Sequence, residues 1–364
     1  MKKIVFTSLL LIAYGLPVQA QDKATQKMGA AERKAVIDTL VVKVNALYVY
    51  EDVAKKMATA IRQHQQHHDY DTITSRDVLA KRLTADLHAV AGDGHLGVEA
   101  SATPIIEEKP EAPSQEAADA FRKTWARSNF NFKKVELLDG NIGLLQVDSF
   151  FPSDWIKDLA LSSMTFLANS DAIIIDIRKN YGFADGGFLI ASYFFNDPVH
   201  WNDNYDRDAR TLRQSWTLLV VPGVKLADKE VYILVSKDCF SASEDFAYNM
   251  QALGRAKVIG EVTGGGAHPT KPYKIGTYFL ADIPFAYSVN PVTHTDWEGK
   301  GVQPDVQVPA DEALLTAQLM AIKALAKKIP AGTDRTAGLQ KVIAQKEQEL
   351  DQLKAKKQRT VETF

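Results

Sequence analysis

Two short runs near the middle of the chain, Ala172 to Ile177 and Val231 to Val235, are apolar at nearly every position. A strand with one wet face alternates apolar and polar residues, so a strand that is apolar throughout is buried on both faces. Helical patterns flank and separate the two runs, Trp155 to Leu167 before the first and Gly187 to Phe195 between them. Strands joined through helices run parallel, because only antiparallel neighbours can be closed by a tight turn, and the helices then cover both faces. The predicted fold class is therefore α/β (α+β) with a mainly parallel sheet. In such sheets ligands gather at the carboxyl ends of the strands, so chemistry is expected just after Ile177 and Val235.

The rest of the chain is arranged around that core. From Ala31 to about Leu87 the pattern is helical, with Val36, Ile37, Leu40, Val41, Val44 and Leu47 on one face of a first helix. Val53, Met57 and Ile61 mark a second helix. A third starts near Thr74 and Ser75 and is expected to bury Val78, Leu79, Leu83 and Leu87. These form a small N-terminal helical domain over 21–100. Pro104, Pro110 and Pro113 make 101–117 a linker. The core is expected over 118–330. It opens with a hairpin, Phe132 to Leu138 and Ile142 to Val147 around Asp139-Gly140-Asn141, and carries a second, Tyr273 to Leu280 and Ile283 to Val289. A helix over Ala310 to Ile329 precedes a lysine- and glutamate-rich terminal helix within 331–364.

Met1-Lys2-Lys3, the apolar run Ile4 to Leu16 and the small residues at Val18 and Ala20 read as a signal peptide over 1–20, cleaved after Ala20. The run is shorter than the roughly 20 apolar residues that span a bilayer. The expectation is an exported protein, periplasmic or secreted, with no membrane span in its mature form. A net charge of −2 argues against nucleic acid or an anionic membrane as partner. One cysteine, Cys239, permits no internal disulfide, so the fold rests on its apolar core.

Directly after the second buried strand comes Ser236-Lys237-Asp238-Cys239-Phe240-Ser241-Ala242-Ser243-Glu244, leading into a helix. A hydroxyl at a strand-to-helix turn stands beside the first free amides of the helix, where an anion can be held. Taken alone, Ser241-x-x-Glu244 reads sooner as a capping box, and Cys239 reads as a small buried packing residue ahead of its rival reading as a thiol nucleophile. A serine needs a base and a group that orients the base. His95, in Gly92-Asp93-Gly94-His95-Leu96-Gly97, stands out, while His88, His200, His268 and His294 remain open; Glu298, in another glycine-bracketed loop, is the candidate acid. A histidine base implies activity that falls below about pH 6 to 7. His64, His67 and His68 have a metal-like spacing but no further ligand types nearby, and no metal is assigned. Between His200 and Trp216, Arg207, Arg210 and Arg213 lie among aromatic residues. The stretch is either a solvated surface hairpin or a lid that grips a substrate carboxylate.

Asp-x-His, Ile175 to Asn180 (Ile-Asp-Ile-Arg-x-Asn), Phe240 to Glu244 (Phe-Ser-Ala-Ser-Glu), Gly254 to Gly266 and the Trp297 to Val306 segment occur in an order that resembles the tail-specific (C-terminal-processing) serine protease superfamily. The helical region before them resembles that of interphotoreceptor retinoid-binding protein, and no segment is left for a PDZ domain. The resemblance implies a crotonase-like peptidase core acting on a peptide or protein substrate with no cofactor. One arrangement in that superfamily pairs serine with a lysine in the glycine-rich loop, but Gly264 to His268 contains none, and Lys271 is the first lysine after it. The other, similar to the tricorn core protease, implies Ser241 as nucleophile, His95 as base and Glu298 as acid, with Gly94 where the tricorn enzyme has serine. Gly182 and Ala242 are implied as oxyanion-hole amides. The retinoid-binding relative also implies an alternative, a non-catalytic carrier of small apolar ligands on the same scaffold.

Overall fold

Strand Ala172–Asp176 shows how the central sheet is built: every residue is buried, with Ala172 and Ile174 in one apolar cluster and Ile173 and Ile175 in another. That division is the two-residue period of a pleated strand with a core on each side. Strand Glu230–Val235 repeats it, sending Val231, Ile233 and Val235 to one cluster and Tyr232 and Leu234 to the other. The computed structural model describes residues 27–106 and 114–361. The expected signal peptide and the middle of the expected linker lie outside the described residues.

The chain divides into two units, one formed by residues up to 121 with 204–213 and 268–288, the other by 122–203, 214–267 and 289 onward. The second unit holds a six-stranded sheet in the order Val306–Gln307, Ala256–Gly260, Glu230–Val235, Ala172–Asp176, Ile142–Val147, Phe132–Leu138. All neighbours are parallel except the last pair, the hairpin read from the sequence. Helices Ser153–Leu167, Gly186–Ser192 and Ala242–Ala252 bury their apolar residues on one face. Helix Ala313–Lys328 and, through Leu339, helix Asp334–Val361 cover the other.

In the first unit, helices Ala30–Leu47, Glu51–Gln66 and Arg76–Ala91 share one core with the antiparallel strands Gly97–Ala100, Phe279–Pro284 and Thr270–Gly276. Ile275, Phe279, Ala281 and Ile283 are buried there. Residues 268–288 therefore go with the helices, not with the core expected over 118–330. The hairpin turns at Thr277-Tyr278, where a turn near Asp282 was expected, because Asp282 sits within a strand whose alternate residues are buried. Val78 is 52% exposed, against expectation; helix Gln115–Ala126 begins inside the expected linker, and the helix expected over Gly187 to Phe195 spans only Gly186–Ser192. Among the described residues no helix is long and apolar enough to cross a membrane.

Candidate active site

The loop after strand Glu230–Val235 is sewn to the end of its neighbour. Ser236 Oγ donates to the Arg178 carbonyl at 2.5 Å, and Cys239 Sγ donates to the Ile177 carbonyl at 3.0 Å. Burial pushes the Cys239 thiol up to about 12, so it stays protonated and acts as packing rather than as a nucleophile. The loop ends at Ser241, with φ 59° and ψ −125°, and helix Ala242–Ala252 follows at once. An ordinary N-cap has extended backbone. The conformation of Ser241 costs on the order of 1–3 kcal/mol and persists only where its surroundings fix it, which a helix cap alone does not require.

Two neighbours in the same unit provide that fixing. Gly182, at φ 86°, lies so close that a Cβ there would stand 2.5 Å from the Ala242 nitrogen and 2.7 Å from the Phe240 carbonyl oxygen. Glycine is thus required twice over, for its φ and for the approach. Its carbonyl accepts from Ser149 Oγ at 2.9 Å, and its N–H donates to Asn180 Oδ1 at 2.8 Å. The second neighbour is Glu244, fully buried, whose carboxylate accepts from the Ser241 amide at 2.9 Å, from Gly265 at 2.7 Å, from Gly266 at 2.8 Å, and from Thr263 Oγ1. Burial raises its pKa above the ordinary value despite those donors. The sequence displayed Glu244 only as a helix-capping residue.

Glu298 belongs to this unit too. The Ala267 amide donates to its Oε2, Trp297 Nε1 donates to the Gly266 carbonyl at 2.8 Å, and Gly299 N donates to the Gly265 carbonyl at 2.9 Å. The loops carrying Ser241 and Glu298 are therefore both tied to residues 265–267.

His95 is in the first unit. Helix Arg76–Ala91 ends on Gly92 in the left-handed region, which turns the chain and delivers Asp93 into full burial. Asp93 Oδ1 accepts from the His95 amide at 3.0 Å, while its Oδ2 is 2.7 Å from His268 Nδ1 and accepts from Tyr48 Oη at 3.0 Å. Burial alone would raise the Asp93 carboxyl, but His268, the His95 amide and Tyr48 together hold it below its usual range. Burial pushes the His95 imidazole down to about 4, outweighing the attraction of Asp93. His88 Nε2 donates to the Leu96 carbonyl at 2.5 Å and braces the same turn. Asp93 and His268 received no role from sequence; they are 175 positions apart, and no local pattern links them.

The remaining candidates are engaged elsewhere. Arg207 donates to the Tyr48 carbonyl and, at 3.4 Å, to that of Asn45, so it is built into the helical unit, whereas Arg210 and Arg213 are exposed in the hairpin formed by His200–Asp206 and Thr211–Trp216. Lys271 Nζ donates to Asp208 at 2.9 Å. His200 is 3.0 Å from Asp203 and stacks on Trp216. His64 and His68 pair with different aspartates, Asp69 and Asp71.

Residues 141–308 match peptidase family S41, and residues 26–131 match the N-terminal domain of Peptidase_S41 in eukaryotic IRBP. Among solved structures, the fold is similar to that of a candidate peptidase from Parabacteroides merdae ATCC 43184 (TM-score 0.56, 16% identity, 80% of this chain and 96% of that one). It is also similar to mature CPAF (TM-score 0.55, 11% identity, 86% and 96%) and to mature CPAF complexed with lactacystin (0.53, 12%, 81% and 98%). At such identities the likeness speaks for the fold.

Proposed function

Starting from the fact that the chain belongs to peptidase family S41 and is a serine peptidase, we propose that it is exported and cleaves peptide bonds through Ser241, His95 and Glu298. Ser241 Oγ attacks the scissile carbonyl carbon while His95 takes its proton. The oxyanion is held by the Ala242 amide, which has no acceptor within its own helix, and by the Gly182 amide once it exchanges Asn180 Oδ1 for the substrate oxygen. The proton passes from His95 to the leaving amine, and water then repeats the sequence to release the acyl group from Ser241. Glu298 orients and steadies the imidazolium. A neutral imidazole, which a base must be, is the form that burial of His95 favours.

What supports Ser241 as the nucleophile above all is its backbone, held at φ 59° at the carboxyl edge of a parallel sheet. A carrier of apolar ligands has no use for a strained serine. Ser241→Ala, assayed with peptide substrates and a fluorophosphonate probe, is expected to lower kcat by at least about 10⁴-fold and to abolish labelling while the protein stays folded. Near-normal turnover by the folded variant would end this assignment.

A further inference from the structure

We infer that the Glu244 carboxylate is a positioning residue that sets the nucleophile loop and the Glu298 loop in register. The inference rests on Ser241 as nucleophile and deepens that reading. Oε1 of Glu244 accepts from Thr263 Oγ1 and Gly265 N, and Oε2 accepts from Ser241 N and Gly266 N. Each oxygen thus takes two donors, a load that an ionised carboxylate carries and an amide cannot, since its NH₂ would point at two other donors. A capping box needs only the bond to the Ser241 amide, which an exposed Glu or Gln makes equally well. The other two amides and the threonine hydroxyl belong to 263–266. The carbonyls of Gly265 and Gly266 accept from Gly299 N and Trp297 Nε1, and the next amide, Ala267, donates to Glu298. One buried carboxylate therefore holds the backbone of Ser241 on one side and, through three consecutive residues, the loop of Glu298 on the other. Burying a charge costs several kcal/mol, and the four donors to its two oxygens offset part of that cost.

The test compares Glu244→Gln and Thr263→Val with the wild type in the full chain. It reads kcat and KM, the rate of fluorophosphonate labelling at Ser241, and native-state amide exchange. Glu244→Gln is expected to lower kcat and labelling by about 100-fold with KM within about threefold, because sub-ångström misplacement acts on the reacting geometry more than on binding. Exchange of the Ser241, Gly265 and Gly266 amides should quicken at least about tenfold, while that of strand Glu230–Val235 stays unchanged. Thr263→Val, which removes one donor of the four, should show the same pattern at about a tenth of the size, and it decides the matter if Glu244→Gln does not fold. Unaltered kcat, or unaltered exchange at Gly265 and Gly266, in a folded variant overturns the inference. If the wild type is not labelled at Ser241, the nucleophile reading has failed, and the exchange measurement alone decides whether Glu244 joins the two loops.

Discussion

Asp93 in the first unit and Glu244 in the second are both fully buried carboxylates, and each accepts the backbone N–H of a proposed catalytic residue, His95 and Ser241 respectively. Their ionisation nevertheless shifts in opposite directions, downward for Asp93 and upward for Glu244. The difference lies in the partners. Asp93 faces an imidazole, His268, that can carry a compensating charge, whereas Glu244 meets only neutral donors. At Glu244 the neutral donors do not offset desolvation, whereas at Asp93 the imidazole adds an attraction that, with the hydrogen bonds, does.

The sharpest way to break the Ser241 side is Gly182→Ala, which puts a methyl group against the Ala242 nitrogen at a left-handed φ. Peptidase activity is expected to fall by more than about 100-fold, with destabilisation of about 1–3 kcal/mol in denaturant titrations. On the Asp93 side, Asp93→Asn leaves His268 without its carboxylate. An expected loss of about 3–5 kcal/mol in urea unfolding reflects the cost of stranding one half of a buried pair. Loss of under 1 kcal/mol would mean that the pair is not charged.

Stability against pH separates the two carboxylates by sign. The stabilisation from Asp93 is present above its unfolded pKa and is lost as pH falls through its lower folded value. Glu244 works the other way, and its contribution diminishes as pH rises from about 4.5 through its raised folded value. His95, pushed from 6.5 down to about 4, adds stability that is lost as pH falls across that window. Its catalytic acid limb should lie closer to pH 4 than to the range of 6 to 7 expected of an ordinary histidine. A limb centred near pH 6.5 would mean that the imidazole is better solvated than its burial indicates.

Asp282, raised to about 6 by burial and by Glu99, offers a smaller effect of the Glu244 sign. Asp282→Asn should raise stability at pH 7 by up to about 2 kcal/mol and flatten the dependence between pH 4 and 6. The smallest effect is expected from Arg210→Gln with Arg213→Gln, both exposed. A selective rise of up to about threefold in KM for peptides with a free C-terminus would mark the hairpin as a substrate clamp, and an equal response of amidated peptides would leave it as scaffold.

Local pattern is enough to specify the parallel sheet, the opening hairpin, the three N-terminal helices and the strand-to-helix turn that bears Ser241. Each of these is written in a local period, two residues for a strand and between three and four for a helix, or in a turn with its own chemistry. Such pattern could not decide the division of the chain, because residues 268–288 look like any alternating hairpin until the helical core that takes up Ile275, Phe279 and Ile283 is known. Nor could it show that Glu244 is more than a cap or that Asp93 meets His268. Those contacts span 19 to 175 positions, and buried polar groups become informative only when their partners are in place. The strained φ of Ser241 is a tertiary fact of the same kind: Gly182, distant in sequence, packs against it, and Glu244, which accepts from its amide, is itself held by the equally distant Thr263, Gly265 and Gly266.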